Sequence, residues 1–365
     1  MTDSADKNWV PEYKVKVDGQ EIQLSDDLFL QAILVDLRRQ APASVEIQFN
    51  NKSGNYDSED QFAPGNEVEV ALGYTEQEKK VVFTGEIIGT EVRLSGKSPR
   101  IFVVRAFDYL HRMTRGRKTR TFLEQKFSDI INQLAGDASL SPDVDDTAFT
   151  REYVIQHNQT DLDFARSIAG WLDYDLHIRH REGPSKLRFK KPEIGGDKVV
   201  KAVFEKPDLP AGDTHLRRFA GRLSLARVVS EVTVRGWNPA EKKEIVGRAT
   251  SLYGTMGGET PATDEIKQKW GETDRQIVDY KVFSQEEADA IAETKLNEYA
   301  RTFLVADVEI QGNAEVAPGT IVEVSLAGPR YDGKYFVERV THQFTSKVGP
   351  ESGYMTRFVG ARCDW

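Results

Sequence analysis

The residues able to do chemistry in this chain are few and poorly grouped. Gly96-Lys97-Ser98 has the ending of a phosphate-binding loop, in which glycine-rich backbone amides meet phosphate at a helix N-terminus. That loop needs a glycine where Glu91 stands, and a strand rather than a helix is expected after it. Asp143-Val144-Asp145-Asp146 has the opening of a calcium loop, but it lacks the glycine at the sixth position and puts Val154 where a bidentate glutamate belongs. Of the 6 histidines only His177 and His180 are close. On a strand their spacing points the two rings to opposite faces, which argues against a shared metal. His342 lies mid-strand, where a packed or hydrogen-bonded ring is expected rather than a ligand or base. No Gly-x-Ser-x-Gly elbow occurs, and Cys363, near the end of the chain, is poorly placed as a buried nucleophile. Asp161 and Asp163 are better explained by helix capping than by acid–base work. No catalytic constellation remains. The chain reads as a structural or interaction protein, with no enzyme activity, cofactor or metal expected.

Composition narrows the class further. With 365 residues the chain can bury several cores, and two or three domains are expected. It is 39% hydrophobic and 29% charged, and no stretch approaches the roughly 18 apolar residues that cross a bilayer. Met1 to Asn8 is polar and acidic, unlike a secretory signal. The single cysteine excludes internal disulfides and fits synthesis in a reducing cytoplasm. A net charge of −9 repels phosphate backbones, so no dedicated nucleic-acid binding is expected. One basic run, Arg105 to Arg120, reads first as a solvated linker and second as a docking strip for an acidic partner.

The elements that must position these residues are mostly strands. Gly333 to Arg362 reads as a long antiparallel hairpin. Tyr335, Val337, Arg339 and Thr341 share one face, Phe336, Glu338, Val340 and His342 the other. Gly349-Pro350 and Ser352-Gly353 supply its turn. Glu12 to Leu24 is a hairpin turning at Asp18-Gly19. Leu30, Ile33, Leu34 and Leu37 are spaced as on one face of a helix over Asp26 to Arg39. Asn50 to Asp60 is polar and reads as an exposed, mobile loop.

Between Arg112 and Glu193 the period changes. Phe127, Ile130, Ile131 and Leu134 mark a short amphipathic helix. Thr160 caps a second one, ending at Leu172, whose apolar face is Phe164, Ile168, Trp171 and Leu172. Tyr174 to His180 and Lys186 to Phe189 then form a hairpin about Gly183-Pro184. Beyond Arg222 strands return at Val228 to Arg235 and Glu244 to Ala249, with a turn at Gly236 to Pro239. Tyr253 to Gln276 reads as a long mobile loop. Ser284 and Glu287 form a capping box that opens a helix reaching Arg301, and Val305 to Gln311 is a strand.

One phrase occurs twice. Pro64-Gly65-Asn66-Glu67-Val68-Glu69-Val70-Ala71-Leu72 matches Pro318-Gly319-Thr320-Ile321-Val322-Glu323-Val324-Ser325-Leu326 at six positions and a constant offset of 254 residues. Each copy is followed by a long strand, a turn and a returning strand. Two readings follow: common turn–strand composition of β-barrels, or an internal duplication that gives two copies of one small barrel.

Three segments together resemble a known family. Tyr153 to Leu172 is similar to the Q-x-N-x-TD-x-DF-x-x-x-[LI]-A signature of the VgrG and phage late control protein D family, matched at Gln156, Asn158, Thr160, Asp161 and Phe164. Tyr335 to Arg362 is similar to its closing hairpin, matched at Tyr335, Val337, Val340, His342, Gly353, Tyr354, Thr356 and Phe358. The helix from Ser284 and the strand after Pro318-Gly319 stand where the family has them. These proteins are hubs of contractile phage tails and injection systems.

The resemblance implies a mainly β fold with an α/β insert, in which two related barrel-like tube domains flank a small α/β module. The expected division is a first barrel domain over 1–111, the α/β module over 112–195 and a second barrel domain over 196–365. The chain would assemble as a homotrimeric, pseudo-sixfold ring, since three chains of two barrels give six similar faces. Such a hub adapts a hexameric inner tube to a trimeric spike, forms the lumen for cargo or DNA, and contacts other baseplate components. The family's VgrG members continue into an OB-like domain and a needle. Because this chain stops at Trp365, a separate spike protein is expected, without membrane insertion, in a particle assembled in the bacterial cytoplasm. Two other readings stand beside this one: a baseplate-associated peptidoglycan hydrolase, which needs a paired acid and base in a cleft, and a two-barrel surface-binding module.

Overall fold

The computed structural model describes the chain except for residues 1–9, 23, 25–27, 53, 55–59, 97, 181–184, 199, 205–208, 210–211, 239–240, 279–281 and 347–351. The expected turns at Gly183-Pro184 and Gly349-Pro350, the N-terminal segment, Lys97, Pro239 and most of the Asn50–Asp60 loop fall outside the described residues.

Strand β1 (Pro11–Val17) turns into β2 (Gln20–Glu21) through Asp18 and Gly19, both at positive φ, the geometry of a two-residue hairpin. Then come β3 (Leu28–Arg38), β4 (Ala41–Asn51), β5 (Glu67–Tyr74), β6 (Lys80–Ser95) and β7 (Ser98–Asp108). A mixed stretch follows: β8 (Lys118–Lys126), α1 (Phe127–Asp137), β9 (Ser141–Val144), β10 (Thr150–Gln159), α2 (Asp161–Leu172), β11 (Asp175–Arg179) and β12 (Lys186–Lys190). Strands β13 (Val200–Phe204) and β14 (Thr214–Leu223) precede an insertion of β15 (Glu231–Asn238), β16 (Lys243–Ala249), α3 (Ala262–Trp270), β17 (Asp274–Ile277) and α4 (Gln285–Ala300). Strands β18 (Leu304–Gln311), β19 (Ile321–Ser325), β20 (Gly333–Thr345) and β21 (Gly353–Arg362) end the chain.

The fold is mainly β, and its late strands close on themselves. In the order β13-β14-β18-β21-β20-β19, the last strand pairs again with the first to complete a six-stranded barrel. The early strands run β3-β4-β7-β6-β5-β1. Taken in chain order, β3 to β7 and β14, β18, β19, β20, β21 occupy matching places in these two series, and every ladder among them is antiparallel. Even the irregularities repeat. The register shifts between Leu30 and Ala32 on β3 and between Leu216 and Arg218 on β14; it shifts between Ile87 and Gly89 on β6 and between Val337 and Arg339 on β20. Shared bulges are hard to reach by composition alone, because each fixes a local kink at one point of one ladder. The duplication reading is the one that accounts for them.

The two series differ at one strand. β1 is antiparallel to β5, whereas β13 is parallel to β19 and also pairs with β14. Among the described residues no ladder joins β1 to β3, so the first series stays open at that seam. The series meet edge to edge where β3 pairs with β20, with Arg38 opposite Arg339 and Ala32 opposite Thr345.

Both series share one apolar interior, running from Val15 to Cys363. A second cluster, Leu110 to Phe189, packs α1 and α2 on their neighbouring strands. The insertion has its own, in which Val232, Val234 and Ile245 meet Ile291 and Leu296 of α4. As expected, Thr160 caps α2 by accepting from the Asp163 amide, and Ser284 caps α4 by accepting from Glu287.

Three expectations are corrected. Within the helix expected over Asp26 to Arg39, Leu28–Arg38 is strand: Leu28, Leu30, Ile33, Val35 and Leu37 are buried, while Leu34 is exposed. The bulge after Leu30 shifts the alternation by one residue, and that slip imitates helical spacing. Tyr253–Gln276 is not one long loop, since α3 and the start of β17 lie in it and Met256 is buried. The basic run is not a solvated linker: Arg105 belongs to β7, Arg112 binds Glu86, and Lys118 and Arg120 bind Asp161.

Candidate functional site

One candidate surface is the solvent face of the eight adjacent strands β14-β18-β21-β20-β3-β4-β7-β6. Alternation buries one face of each strand and leaves the other polar. Across that polar face Arg357 binds Glu309 at 2.8 Å, Arg339 binds Asp36 at 2.9 Å, Arg105 binds Glu46 at 3.0 Å and Arg93 binds Glu91 at 2.9 Å. These pairs are partly exposed, so each adds on the order of 0–1 kcal/mol to stability. Both signs are interspersed along the sheet, which makes a neutral, wettable surface rather than a substrate cleft.

The signature residues of the central segment hold the entry to α2. Gln156 is fully buried; its Nε2 donates to Asp161 Oδ1 at 2.9 Å and to the Gln159 carbonyl at 3.1 Å, and its Oε1 accepts from Arg120 at 2.8 Å. Lys118 and Arg120 neutralise Asp161 at 2.6 and 2.9 Å. Asn158 takes the left-handed conformation, with φ 47°, where the β10–β8 ladder slips. Phe164 stacks on Phe122 at 5.7 Å.

The closing-hairpin residues are buried as well. His342 Nε2 faces the Val316 carbonyl at 3.1 Å, so that nitrogen carries the proton; Nδ1 accepts, with Tyr354 Oη at 3.0 Å and Thr356 Oγ1 at 3.1 Å. Thr356 Oγ1 also accepts from the Asn313 amide at 2.9 Å. Tyr335 donates to the Tyr331 carbonyl at 2.7 Å. Gly319 and Gly353 sit at φ 83° and 88°, and a Cβ at Gly353 would lie 3.0 Å from Pro11. Pro318 and Gly319 line a cavity with His342. As expected, His342 is a hydrogen-bonded core residue.

That cavity, about 220 Å³, also takes in Asp108, His177 and His180. The alternation argument for the two histidines fails because His180 lies past the end of β11, where strand geometry no longer sets its direction. Burial pushes the Asp108 carboxyl up to about 8, although the Ala43 and Leu110 amides donate to it at 2.9 and 3.0 Å. Burial also pushes His180 down to about 3. Its Nδ1 accepts from the Thr84 amide at 3.2 Å, and Nε2 stands 3.7 Å from Asp108, too far for a hydrogen bond. At neutral pH the two groups are therefore a neutral acid beside a neutral imidazole. Among the described residues no group of histidine, cysteine, aspartate or glutamate side chains is arranged to hold a metal. Cys363 is buried despite its place near the chain end, and burial pushes its thiol up to about 12.

A buried ion cluster escaped the sequence reading. Arg39, in the β3–β4 turn, donates to Asp175 at 2.7 Å, to Glu338 at 3.0 Å and to the Asp173 carbonyl at 3.1 Å. Arg301, at the end of α4, binds Asp173 and reaches Glu338 at 3.5 Å. Burial works against both charges of the Arg39–Asp175 pair, but the cluster overrides it: the three carboxylates hold Arg39 well above its ordinary value, and Arg39, His177 and Arg188 hold Asp175 below its own. Glu338 occupies the bulge of β20, which turns its side chain toward this cluster. The group ties the first series, the α/β stretch, α4 and the closing hairpin at one point. Its members are up to 299 residues apart, so no local pattern could have joined them.

The model of the Alg8 N-terminal domain matches residues 7–346. No curated protein matches the sequence. Among solved structures, the 43 kDa tail protein of prophage MuSo2 from Shewanella oneidensis is 14% identical, with a TM-score of 0.67 over 97% of this chain and 99% of that one. The E. coli c3393 protein, a component of the type VI secretion system similar to T4 bacteriophage tail proteins gp27 and gp5, is 13% identical, with a TM-score of 0.56 over 96% of this chain and 76% of that one. A chain of the Francisella PdpA–VgrG complex is 10% identical, with a TM-score of 0.54 over 97% of this chain and 53% of that one. The fold is thus of the VgrG- and gp27-like kind, as the sequence motifs implied.

Proposed function

The chain belongs to the family of the Alg8 N-terminal domain, and from that premise we propose that it is a structural hub at the tip of a contractile tail or injection system. In this reading three copies form a ring whose six half-chains present near-equivalent faces to a hexameric inner tube, while the threefold symmetry of the ring accepts a trimeric spike. The lumen carries cargo or DNA past the polar sheet face, and the particle is assembled in the bacterial cytoplasm with other baseplate components. The observation that carries the reading is the repeated ladder, bulges included, in the two halves of one chain. A chain with one such half could not reconcile sixfold and threefold partners in this way. Likeness of fold to a prophage tail protein and to a type VI secretion component supports it.

We assign the first tube domain to 1–111, an α/β module to 112–195 and the second tube domain to 196–365, and a scaffolding role to the motif residues Gln156, Asp161, His342 and Thr356. No enzymatic step is part of this reading. Light scattering and electron microscopy of the purified protein test the proposal. Trimeric rings with six-lobed projections are expected. A protein that stays monomeric, or one that clears peptidoglycan in a zymogram, would overturn it.

A further inference from the structure

Strands β3 and β20 join the two halves of the chain, and the edges they use exist a second time. β6 is the counterpart of β20. Its stretch Gly89–Ser95 pairs with β7 along one edge, while on the other edge β5 ends its ladder at Glu86. β14 is the counterpart of β3. Its stretch from Arg218 to Leu223 pairs with β18 along one edge, while on the other β13 ends its ladder at Leu216. Among the described residues no strand pairs with either of these two remaining edges.

We propose that the two edges pair with each other between neighbouring copies of this chain, antiparallel, in the register that β20 and β3 use within it. The proposal rests on the ring reading above and names its subunit contact. The bulges shared by the two halves fix the register. Arg339 opposite Arg38 becomes Gly89 opposite Ser224 of the next copy, and Thr345 opposite Ala32 becomes Ser95 opposite Arg218.

Two independent observations support this pairing. The first is exposure. Val340, His342 and Phe344, on the core face of β20, are buried. Their counterparts on β6 are Thr90, Val92 and Leu94; in the single chain Val92 is 39% exposed and Leu94 69%. Core-facing apolar residues left bare on an overhanging strand are what a missing neighbour leaves behind. In the transferred register Leu94 comes opposite Phe219, which would cover it as Ile33 covers Phe344. The second observation is charge. On the polar face the same register sets Glu91 opposite Arg222, an attractive cross-strand pair that a slip by one residue would lose.

The contact is heterologous, because each copy offers β6 on one side and β14 on the other. It therefore propagates head to tail until the ring closes. The eight strands of each chain then continue into the eight of the next, and their polar faces form one surface around the lumen.

Cysteines at the paired positions test the register in the full-length protein. E91C with R222C, mildly oxidised, is expected to give covalent dimers and trimers on a non-reducing gel, while E91C with R218C and each single variant give none. Cys363 is buried and stays out of the reaction. A charge swap provides the second arm: E91R should weaken assembly at least tenfold by sedimentation, and E91R with R222E should restore it. Trimers that form but cross-link no better through Arg222 than through Arg218, or a swap that rescues nothing, would overturn the pairing and leave the ring standing. Wild-type protein that is monomeric at every concentration would overturn both.

Discussion

Ile87 and Val337 stand at the same place in two copies of one ladder. The Ile87 amide donates to the Asn66 carbonyl at 2.9 Å, and its own carbonyl accepts from Gly65 at 2.8 Å. Val337 repeats both bonds with Thr320 and Gly319, at 2.9 and 2.8 Å. Each residue precedes the same bulge, and each clamps a Pro-Gly turn onto the strand that follows it. The repeated words in the sequence are thus repeated hydrogen bonds in the fold.

These turns are predicted to respond to mutation unequally. Gly65 has φ 101° and Gly319 φ 83°, a region where a side chain costs about 1–2 kcal/mol. A Cβ at Gly65 would meet nothing within 4 Å, whereas one at Gly319 would approach Asp175 at 3.3 Å. Gly65→Ala should lower stability by about 1 kcal/mol and Gly319→Ala by more. Urea unfolding of the two variants measures the difference; equal losses would contradict the reading of the crowded site.

Removing the guanidinium of the buried cluster should be far more costly. Arg39→Met leaves Asp175 and Glu338 without their shortest partner, and breaking one side of a buried pair typically costs about 3–5 kcal/mol. Chemical denaturation should show a loss of that order. An effect below 1 kcal/mol would mean that Arg301 and Arg188 already neutralise the acids.

The Asp108–His180 cavity predicts a pH dependence with two limbs. His180 has a folded value near 3, below its ordinary 6.5, so stability should fall as pH drops from 6.5 toward 3. Asp108 has a folded value near 8, above its ordinary 3.8; the folded state keeps a proton that the unfolded chain gives up, so stability should also fall as pH rises toward 8. From about pH 4 to 6.5 the two slopes oppose each other. Above 6.5 the Asp108 limb acts alone, and Asp108→Asn should flatten it. Thermal melts between pH 5 and 9 check this; an unchanged slope in the variant would exclude Asp108 as the source.

Cys363 should be inert while the chain is folded. Its thiol is buried beneath Gly254, with its Sγ 3.6 Å from that carbonyl, and burial raises it far above the range in which thiolates form. Ellman's reagent should react with one thiol per chain in denaturant and at a rate slower by orders of magnitude in buffer. Rapid labelling of native protein would show that the end of the chain opens readily.

Much of this fold was legible residue by residue. Where one rule acts over a few neighbours, the pattern was enough: Asp18-Gly19 gave its hairpin, Thr160 and Ser284 their helix caps, and Pro64-Gly65 and Pro318-Gly319 their matching turns. Where two rules compete, it misled. The bulge after Leu30 turned a strand into apparent helical spacing, and the polar tract after Tyr253 concealed α3, whose buried apolar side chains are Ala262 and Ile266.

The sequence by itself determined the periodicities, the turns and the phrase that occurs twice, because each of these depends on contacts between near neighbours or on direct repetition; that the phrase marks two related halves was decided by the shared ladders and bulges. Only the tertiary structure decided that β3 lies against β20, that Arg39 meets Asp175 and Glu338, and that Asp108 and His180 share one cavity. Those contacts form between segments that many chain conformations could bring together. Which of them do meet is selected by burying the whole apolar interior at once, a condition that no short stretch of residues can express.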